Sequence, residues 1–281
     1  MDTPFLGREA LASGAMNRHQ LRTRFRTLCP GVYVPRQQTV SLHDRIHAAW
    51  LWSQREGTVA GLAAAALHGA RWIDDDIPVE LVYSNARAPQ GVLTRRDRLL
   101  VGEVEARRGY RLTTSARTAF DIGRRERLDD AVAHIDALIQ ATGLGIADVE
   151  ALATQHPGAR GLRRLECALE LVDSGAQSPR ESRLRLLLIR SGLPKPQTQI
   201  PVLADGRVVA YLDMGWPDLM VAVEYDGDQH RTDRAQYVKD IRRHERLESM
   251  GWIIVRVVAE DHPVDVIRRV RRALDCRSFR S

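Results

Sequence analysis

Leu219-Met220-Val221-Ala222-Val223-Glu224-Tyr225-Asp226-Gly227-Asp228-Gln229-His230 runs from five consecutive apolar residues directly into carboxylates. An apolar run of this length with no polar alternation predicts a central strand covered on both faces. Carboxylates at the end of such a strand are expensive to bury unless a cation compensates them. Glu224 and Asp226 stand two residues apart and so share a face, and Asp213 ends the preceding strand where it can converge on them. Asp213, Glu224 and Asp226 are therefore the expected ligands of one divalent ion, Mg2+ or Mn2+, which would activate a water and stabilise charge on a phosphoryl group. Gly227 permits a sharp turn, and His230 is positioned to move a proton or hold a phosphate. The competing reading is that Asp226-Gly227-Asp228 is a plain turn and His230 a surface residue.

Outward from this strand the pattern stays regular. Ser178-Pro179-Arg180-Glu181 opens a helix through residue 189, with Ser178 as N-cap, Pro179 at the first helical position and Glu181 completing a capping box. Strands at 197–203 and 207–213 flank Ala204-Asp205-Gly206, a hairpin signal. After the carboxylates, residues 236–250 form an amphipathic helix carrying Lys239, Asp240, Arg242, Arg243 and Arg246, and 252–258 a final strand. Arg242 and Arg243 are expected to reach a polyanion.

Toward the N-terminus, two short helices at 8–13 and 17–24 are followed by a hairpin at 25–34 turning at Pro30-Gly31. Helix, turn, helix, hairpin is the order of a winged helix-turn-helix, in which Arg18, His19, Gln20, Arg22 and Arg24 would face DNA; otherwise they form a solvated basic face. Residues 43–69 read as one helix with His43 and His47 a turn apart, taken as an exposed face. Asp74-Asp75-Asp76 reads as a polar turn before a strand at 79–83. Short strands over 95–111 lead to helices at 115–122, 128–141 and 145–173, the last broken at His156-Pro157-Gly158. The expected organisation is a winged helix-turn-helix at 1–40, a mixed α/β region at 41–174 and an α/β domain at 178–281, α+β overall.

The chain of 281 residues is 28% charged and 5% aromatic, with a formal net charge of +6. That composition excludes fibrous and wholly disordered classes and permits an anionic partner. Only Lys195 and Lys239 are lysines, so the basic side chains are nearly all arginine. Cys29, Cys167 and Cys276 have neither disulfide-framework nor zinc spacing and read as reduced thiols. No apolar run approaches the roughly 20 residues that span a bilayer, so no membrane partner and a cytoplasmic location are expected.

Taken together, Glu181, Asp213, Val223-Glu224-Tyr225-Asp226-Gly227-Asp228-Gln229-His230, Tyr237, Asp240, Arg243, Leu247, Gly251-Trp252 and Arg256 make residues 178–274 resemble the domain of unknown function 559. That family is akin to the very-short-patch repair endonucleases of the PD-(D/E)xK superfamily. The resemblance implies a restriction-endonuclease-like fold with Asp213, Glu224 and Asp226 as ligands, His230 as helper and Glu181 within the catalytic set. Where the superfamily carries Lys two residues after its Glu, this chain has Asp226, so His230, Gln229 or Lys239 would have to serve instead. Residues 22–33 and Thr114-Ser115-Ala116-Arg117-Thr118-Ala119-Phe120-Asp121 also look like the winged-helix antitoxin regulators of bacterial type IV toxin-antitoxin systems. Arg117 and Asp121, one helical turn apart, read as a structural ion pair. The function expected is a metal-dependent DNA endonuclease targeted by its N-terminal module, with a homodimer as a further expected partnership. The alternative is a non-catalytic DNA-binding regulator whose nuclease fold is degenerate; RNA remains a third substrate class.

Overall fold

The computed structural model describes residues 3–85, 87–226 and 234–278. The fold is mixed α/β with three sheets, divided into two compact units, Met1–Glu170 and Leu171–Ser281.

The first unit opens with β1 (Phe5–Leu6), α1 (Gly7–Ala12), α2 (Arg18–Arg24), β2 (Phe25–Cys29) and β3 (Val32–Pro35). Asn17 caps α2 reciprocally: its side chain accepts from Gln20 N at 2.9 Å, while Gln20 Oε1 accepts from Asn17 N at 2.8 Å. Gly31, at φ 78°, makes the tight return between β2 and β3. Both β1 and β2 pair antiparallel with β3. A strand of two residues carries no periodicity, which is why β1 leaves no mark in the sequence pattern. Leu6, Cys29 and Val32 pack against Ala48 and Leu51 of the next helix, α3 (Leu42–Trp52). The winged segment thus shares its core with α3 and is not a separate domain ending at residue 40.

The single helix expected over 43–69 is instead α3, β4 (Thr58–Ala60) and α4 (Gly61–His68). Gln54 and Arg55 turn the chain out of the helix with φ of 60° and 66°, and Gly57 N then donates to Ser53 Oγ at 3.0 Å. Thr58, Val59 and Ala60 are all buried, because β4 is the middle strand of a five-stranded sheet. That position outweighs the helix propensity of the alanines beside it. β5 (Val79–Val82), β6 (Val92–Arg95), β7 (Val104–Arg107) and β8 (Tyr110–Thr113) complete the sheet in the order β6-β5-β4-β8-β7. The acidic turn before β5 has a structural task, since Asp75 Oδ1 accepts from Leu42 N at 3.0 Å at the start of α3. His47 donates to or accepts from the Tyr110 hydroxyl at 3.0 Å, and His43 is exposed.

Helices α5 (Ser115–Arg125), α6 (Leu128–Thr142), α7 (Ile146–Thr154) and α8 (Leu162–Leu171) complete the run. On α5, Arg117 is 1% exposed. Its Nε donates to Asp121 Oδ2 at 3.0 Å, and its Nη1 donates to Glu103 Oε2 at 2.6 Å and to the Arg98 carbonyl at 3.0 Å. Arg124 donates to Asp121 at 2.9 Å and pairs with Asp97; Arg125 pairs with Glu80 and meets Asp97 at 2.8 Å. The ion pair expected at Arg117 and Asp121 is therefore the centre of a buried network of arginines and carboxylates, with Arg95 joining at Glu80.

The second unit comprises α9 (Pro179–Arg190), β9 (Gln197–Ala204), β10 (Arg207–Trp216), β11 (Val221–Tyr225), α10 (Arg234–Ser249), β12 (Ile253–Val257) and α11 (Pro263–Ser278). Ser178 Oγ caps α9 by accepting from Glu181 N at 3.2 Å, and the Asp205-Gly206 turn joins β9 to β10 with φ of 51° and 73°. The sheet order is β12-β11-β10-β9, antiparallel except for the β11–β12 pair, which α10 connects in crossover fashion. Edge strand β9 contains Pro201 and a left-handed Gln199 at φ 49°, and its pairing with β10 shifts register between Val208 and Ala210. Val221, Val223, Val255 and Val257 of the central strands pack with Leu184 and Leu188 of α9 and Val266 and Val270 of α11. Ala222, Leu212 and Ile200 pack on the other face with Leu247 of α10 and Trp252. β11 is covered on both sides, as its apolar run requires.

Gly215 permits the closest approach in this sheet: a Cβ there would lie 2.2 Å from the Val221 carbonyl oxygen and 2.7 Å from Ala222 Cα. Both obstacles are backbone, so they cannot swing aside. Gly215→Ala is expected to destabilise the second unit by about 3 kcal/mol, at the upper end of overpacking costs. Urea unfolding of the full chain measures this, and an unchanged midpoint refutes it.

Candidate active site

Asp213 and Glu224 are brought together by strand register. The antiparallel pairs run from Trp216↔Val221 through Gly215↔Ala222 to Met214↔Val223, so Asp213 and Glu224 are the next residues of the two strands just past the last pair. On the other side Glu224 pairs in register with Arg256 of β12. Residues opposite one another in a ladder share a face, so Glu224 and Arg256 share one, and Asp213 stands near them at the end of the β10–β11 pairing, where the charge of Glu224 acts on it.

Asp213 Oδ2 accepts from Tyr225 N at 2.9 Å. Its carboxyl is nevertheless pushed up to about 7: burial contributes most, and the charges of Glu181 and Glu224 add to it, outweighing the Tyr225 bond and the Arg243 charge. Glu181, from the first turn of α9, is also raised by burial. Its oxygens accept from Gln177 N and Ser178 Oγ, both at 2.9 Å. The expected capping box is modified accordingly, since Glu181 reaches back to the amide of Gln177.

Glu224 is 6% exposed. Arg243 Nη2 donates to its Oε1 at 2.7 Å, and His244 Nε2 lies 3.2 Å from its Oε2. The same His244 nitrogen lies 2.8 Å from Arg256 Nε; it can accept from Arg256 or donate to Glu224, but a single ring nitrogen does not do both. Sequence reading missed His244 entirely. Its signal was available only through pairing, because the parallel β11–β12 register places Arg256 beside Glu224 and α10 spans the two strands.

The ligand set Asp213, Glu224 and Asp226 is not assembled as expected. β11 ends at Tyr225, and Asp226 is exposed, its N–H continuing the ladder to the Val257 carbonyl at 2.8 Å. The third carboxylate whose charge bears on Asp213 is Glu181. Among the described residues no group of three or more His, Cys, Asp or Glu side chains is arranged to hold a metal ion. His230 and Gln229 lie outside the described residues, as does the side chain of Lys239. In donor chemistry Asp213 and Glu224 do fit a hard divalent cation: they offer oxygen ligands from adjacent strands, and burial together with the charges of Glu181 and Glu224 pushes Asp213 up to about 7.

This crowding gives a pH dependence. A carboxyl whose folded value is raised above its unfolded value contributes stability that is complete below about pH 4 and is lost as pH rises through about 7. Asp213→Asn removes that loss. In chelator, the variant is expected to gain stability over the parent by a few kcal/mol at pH 8, on the order of 1.4 kcal/mol per unit of pKa shift, and to gain far less at pH 4. Urea midpoints at the two pH values measure the difference; equal gains at both would contradict the assignment.

In the first unit, Arg18, His19, Arg22 and Arg24 are exposed on α2. Gln20 departs from expectation, because its carboxamide is engaged in the cap at Asn17. Arg36, which the sequence reading overlooked, donates to the carbonyls of Arg22 and Thr23 at 2.9 and 3.1 Å and closes the C-terminal end of α2. Arg243, expected to face DNA, points its guanidinium at Glu224, whereas Arg242 is exposed. No helix among the described residues is long and apolar enough to cross a membrane.

The chain is similar to two uncharacterized proteins of Mycobacterium tuberculosis, MT2308 of strain CDC 1551 / Oshkosh and Rv2248 of strain H37Rv. Each is 31% identical over 170 residues, covering 59% of this chain and 63% of the relative. The chain thus spans less than two thirds of the length of these curated relatives. No family model matches the chain, and no solved structure matches it.

Proposed function

We propose that the chain is a metal-dependent DNA endonuclease, acting in the cytoplasm, in which the N-terminal helix pair engages duplex DNA and the second unit hydrolyses a phosphodiester. The observation that carries this reading is Asp213: a half-buried carboxyl pushed up to about 7 by burial and two neighbouring carboxylates is costly to keep in a fold unless a cation or a proton-transfer task uses it. Asp213 and Glu224 would hold Mg2+ or Mn2+, which when bound supplies a Lewis acid for the phosphoryl oxygen and lowers the pKa of a coordinated water. Tyr225 N fixes the orientation of Asp213, and Glu181 adds negative charge beside it. The element order α9-β9-β10-β11-α10-β12, with carboxylates on adjacent central strands, agrees with the resemblance to the very-short-patch repair-like endonucleases. The exposed Arg18, His19, Arg22 and Arg24 of α2 are the groups proposed to meet phosphates and bases.

The test is incubation of the full chain with plasmid, linear duplex and single-stranded DNA, in Mg2+, Mn2+ or chelator. Cutting that needs metal supports the reading. A second reading, a non-catalytic DNA-binding regulator, is favoured by one specific feature, the Arg243 guanidinium already seated on Glu224. It predicts salt-sensitive DNA binding with no turnover on any of these substrates.

A further inference from the structure

Arg117 and Arg243 meet buried carboxylates in different ways. Arg117 is 1% exposed and is held by three hydrogen bonds to two carboxylates and a carbonyl. Arg243 differs: its side chain is 33% exposed, only Nη2 meets Glu224, and its other bond is a long one, 3.4 Å from Nη1 to the Tyr211 carbonyl. A bidentate fork would have been the strong geometry for an arginine and a carboxylate. Arg243 therefore neutralises Glu224 through one nitrogen, from the surface, and can swing into solvent with little to break.

Glu224 needs a positive partner, because a carboxylate so deeply buried is expensive unpaired. Asp213, on the adjacent strand, forms no ion pair among the described residues: its hydrogen bond comes from a neutral backbone amide, and Glu181 and Glu224 crowd it. Among the described residues the two carboxyls thus share one guanidinium, Arg243 on Glu224 Oε1, with His244 Nε2 3.2 Å from Glu224 Oε2 and no cationic side chain paired to Asp213. A divalent ion held by both carboxyls would draw on Glu224, the carboxylate whose Oε1 Arg243 already holds.

We infer that Arg243 is a displaceable counter-ion, which holds Glu224 until a divalent cation binds between Glu224 and Asp213 and is then released to hold the anionic phosphodiester of the substrate. This rests on the proposed metal site and adds to it a positioning residue and an order of events. Metal and Arg243 compete for one carboxylate, so removing the guanidinium tightens metal binding while weakening the hold on phosphate. Arg243 is placed for this on α10, the helix that crosses between the strand bearing Glu224 and the strand bearing Arg256.

The experiment is Mn2+ binding to the full chain without DNA, by calorimetry and by the free-ion electron paramagnetic resonance signal. It compares the parent, Arg243→Met, Arg243→Lys and Asp213→Asn, with thermal unfolding to establish that each is folded. Arg243→Met is expected to bind Mn2+ about tenfold more tightly than the parent, a typical size for coupled sites. Arg243→Lys should stay near the parent and Asp213→Asn should lose the binding. Equal or weaker binding by Arg243→Met, with binding still lost in Asp213→Asn, overturns the counter-ion and leaves the metal site standing. Absence of Mn2+ binding in both the parent and Arg243→Met overturns both. A measurement on the parent alone guards against misfolded variants: arginine-selective dicarbonyl labelling, read by peptide mass spectrometry. Labelling of Arg243 should rise several-fold on adding Mg2+, and unchanged labelling in the presence of bound metal refutes the release.

Discussion

Asp213→Ala and Glu224→Ala are each expected to lose the proposed metal-dependent DNA cleavage, by at least about a hundredfold, while binding duplex DNA in chelator almost as well as the parent. The size follows from what a bound cation contributes to phosphoryl transfer, a nucleophile at neutral pH and several kcal/mol of charge stabilisation. The two residues stand on adjacent strands just past the last ladder pair, Met214↔Val223, and each would supply its own ligand oxygen, so neither is expected to substitute for the other. DNA affinity survives because phosphate contacts set it and the proposed contacts are the arginines of α2, in the other unit. Asp226→Ala is the informative comparison. Asp226 is exposed beyond the end of β11, so its loss is expected to be smaller than that of Asp213. A loss as large as that of Asp213→Ala would restore Asp226 to the ligand set. Gel-based nicking assays with a parallel mobility shift measure all three, and parental cutting by Asp213→Ala and Glu224→Ala would remove the site.

The largest effect on stability is expected at Arg117. Arg117→Met deletes one charge from a network in which Asp121 and Glu103 are 1% and 4% exposed, stranding buried carboxylate charge. Breaking a buried pair from one side typically costs about 3–5 kcal/mol, enough to unfold a domain of ordinary stability. Burial opposes ionisation of Asp97, yet Arg125, Arg124 and Arg117 overcome it and hold that carboxyl below its usual range, so the loss should spread to Asp97 as well. Replacing Arg117 and Asp121 together by Met and Leu should recover part of the deficit, because apolar residues of similar volume carry no desolvation cost. Urea unfolding of the single and double variants tests this; a single-variant loss below about 1 kcal/mol would mean the network is better solvated than its burial implies.

Local chemistry was legible in the sequence wherever a few neighbouring residues satisfy one another. Ser178 with Pro179 and Glu181, and Asp205-Gly206, each announced an element that the fold contains. The apolar run before Glu224 announced the covered strand. What was not legible depends on partners far along the chain. β4 looks helical because its neighbours are alanines, and only β5 on one side and β8 on the other make it a strand. Likewise, the two-residue spacing does not tell that Asp226 is exposed just past the last residue of β11, its N–H still bonded to the Val257 carbonyl. Arg243 and His244 read as surface residues of a basic helix until the parallel return of β12 fixes which face of α10 meets Glu224.

The free edge of the second unit's sheet has a consequence for the protein at high concentration. An eight-residue outer strand presents unpaired amides and carbonyls on which another chain can add a strand, the first step of aggregation. β9 is poorly suited to that role: Pro201 lacks a donor, Gln199 leaves the extended conformation, and the register shift against β10 twists the ribbon. The strand is long and yet too irregular to recruit a copy of itself, so the exposed Leu203 and Tyr211 beside it can sit in water without turning the sheet into the seed of a fibril.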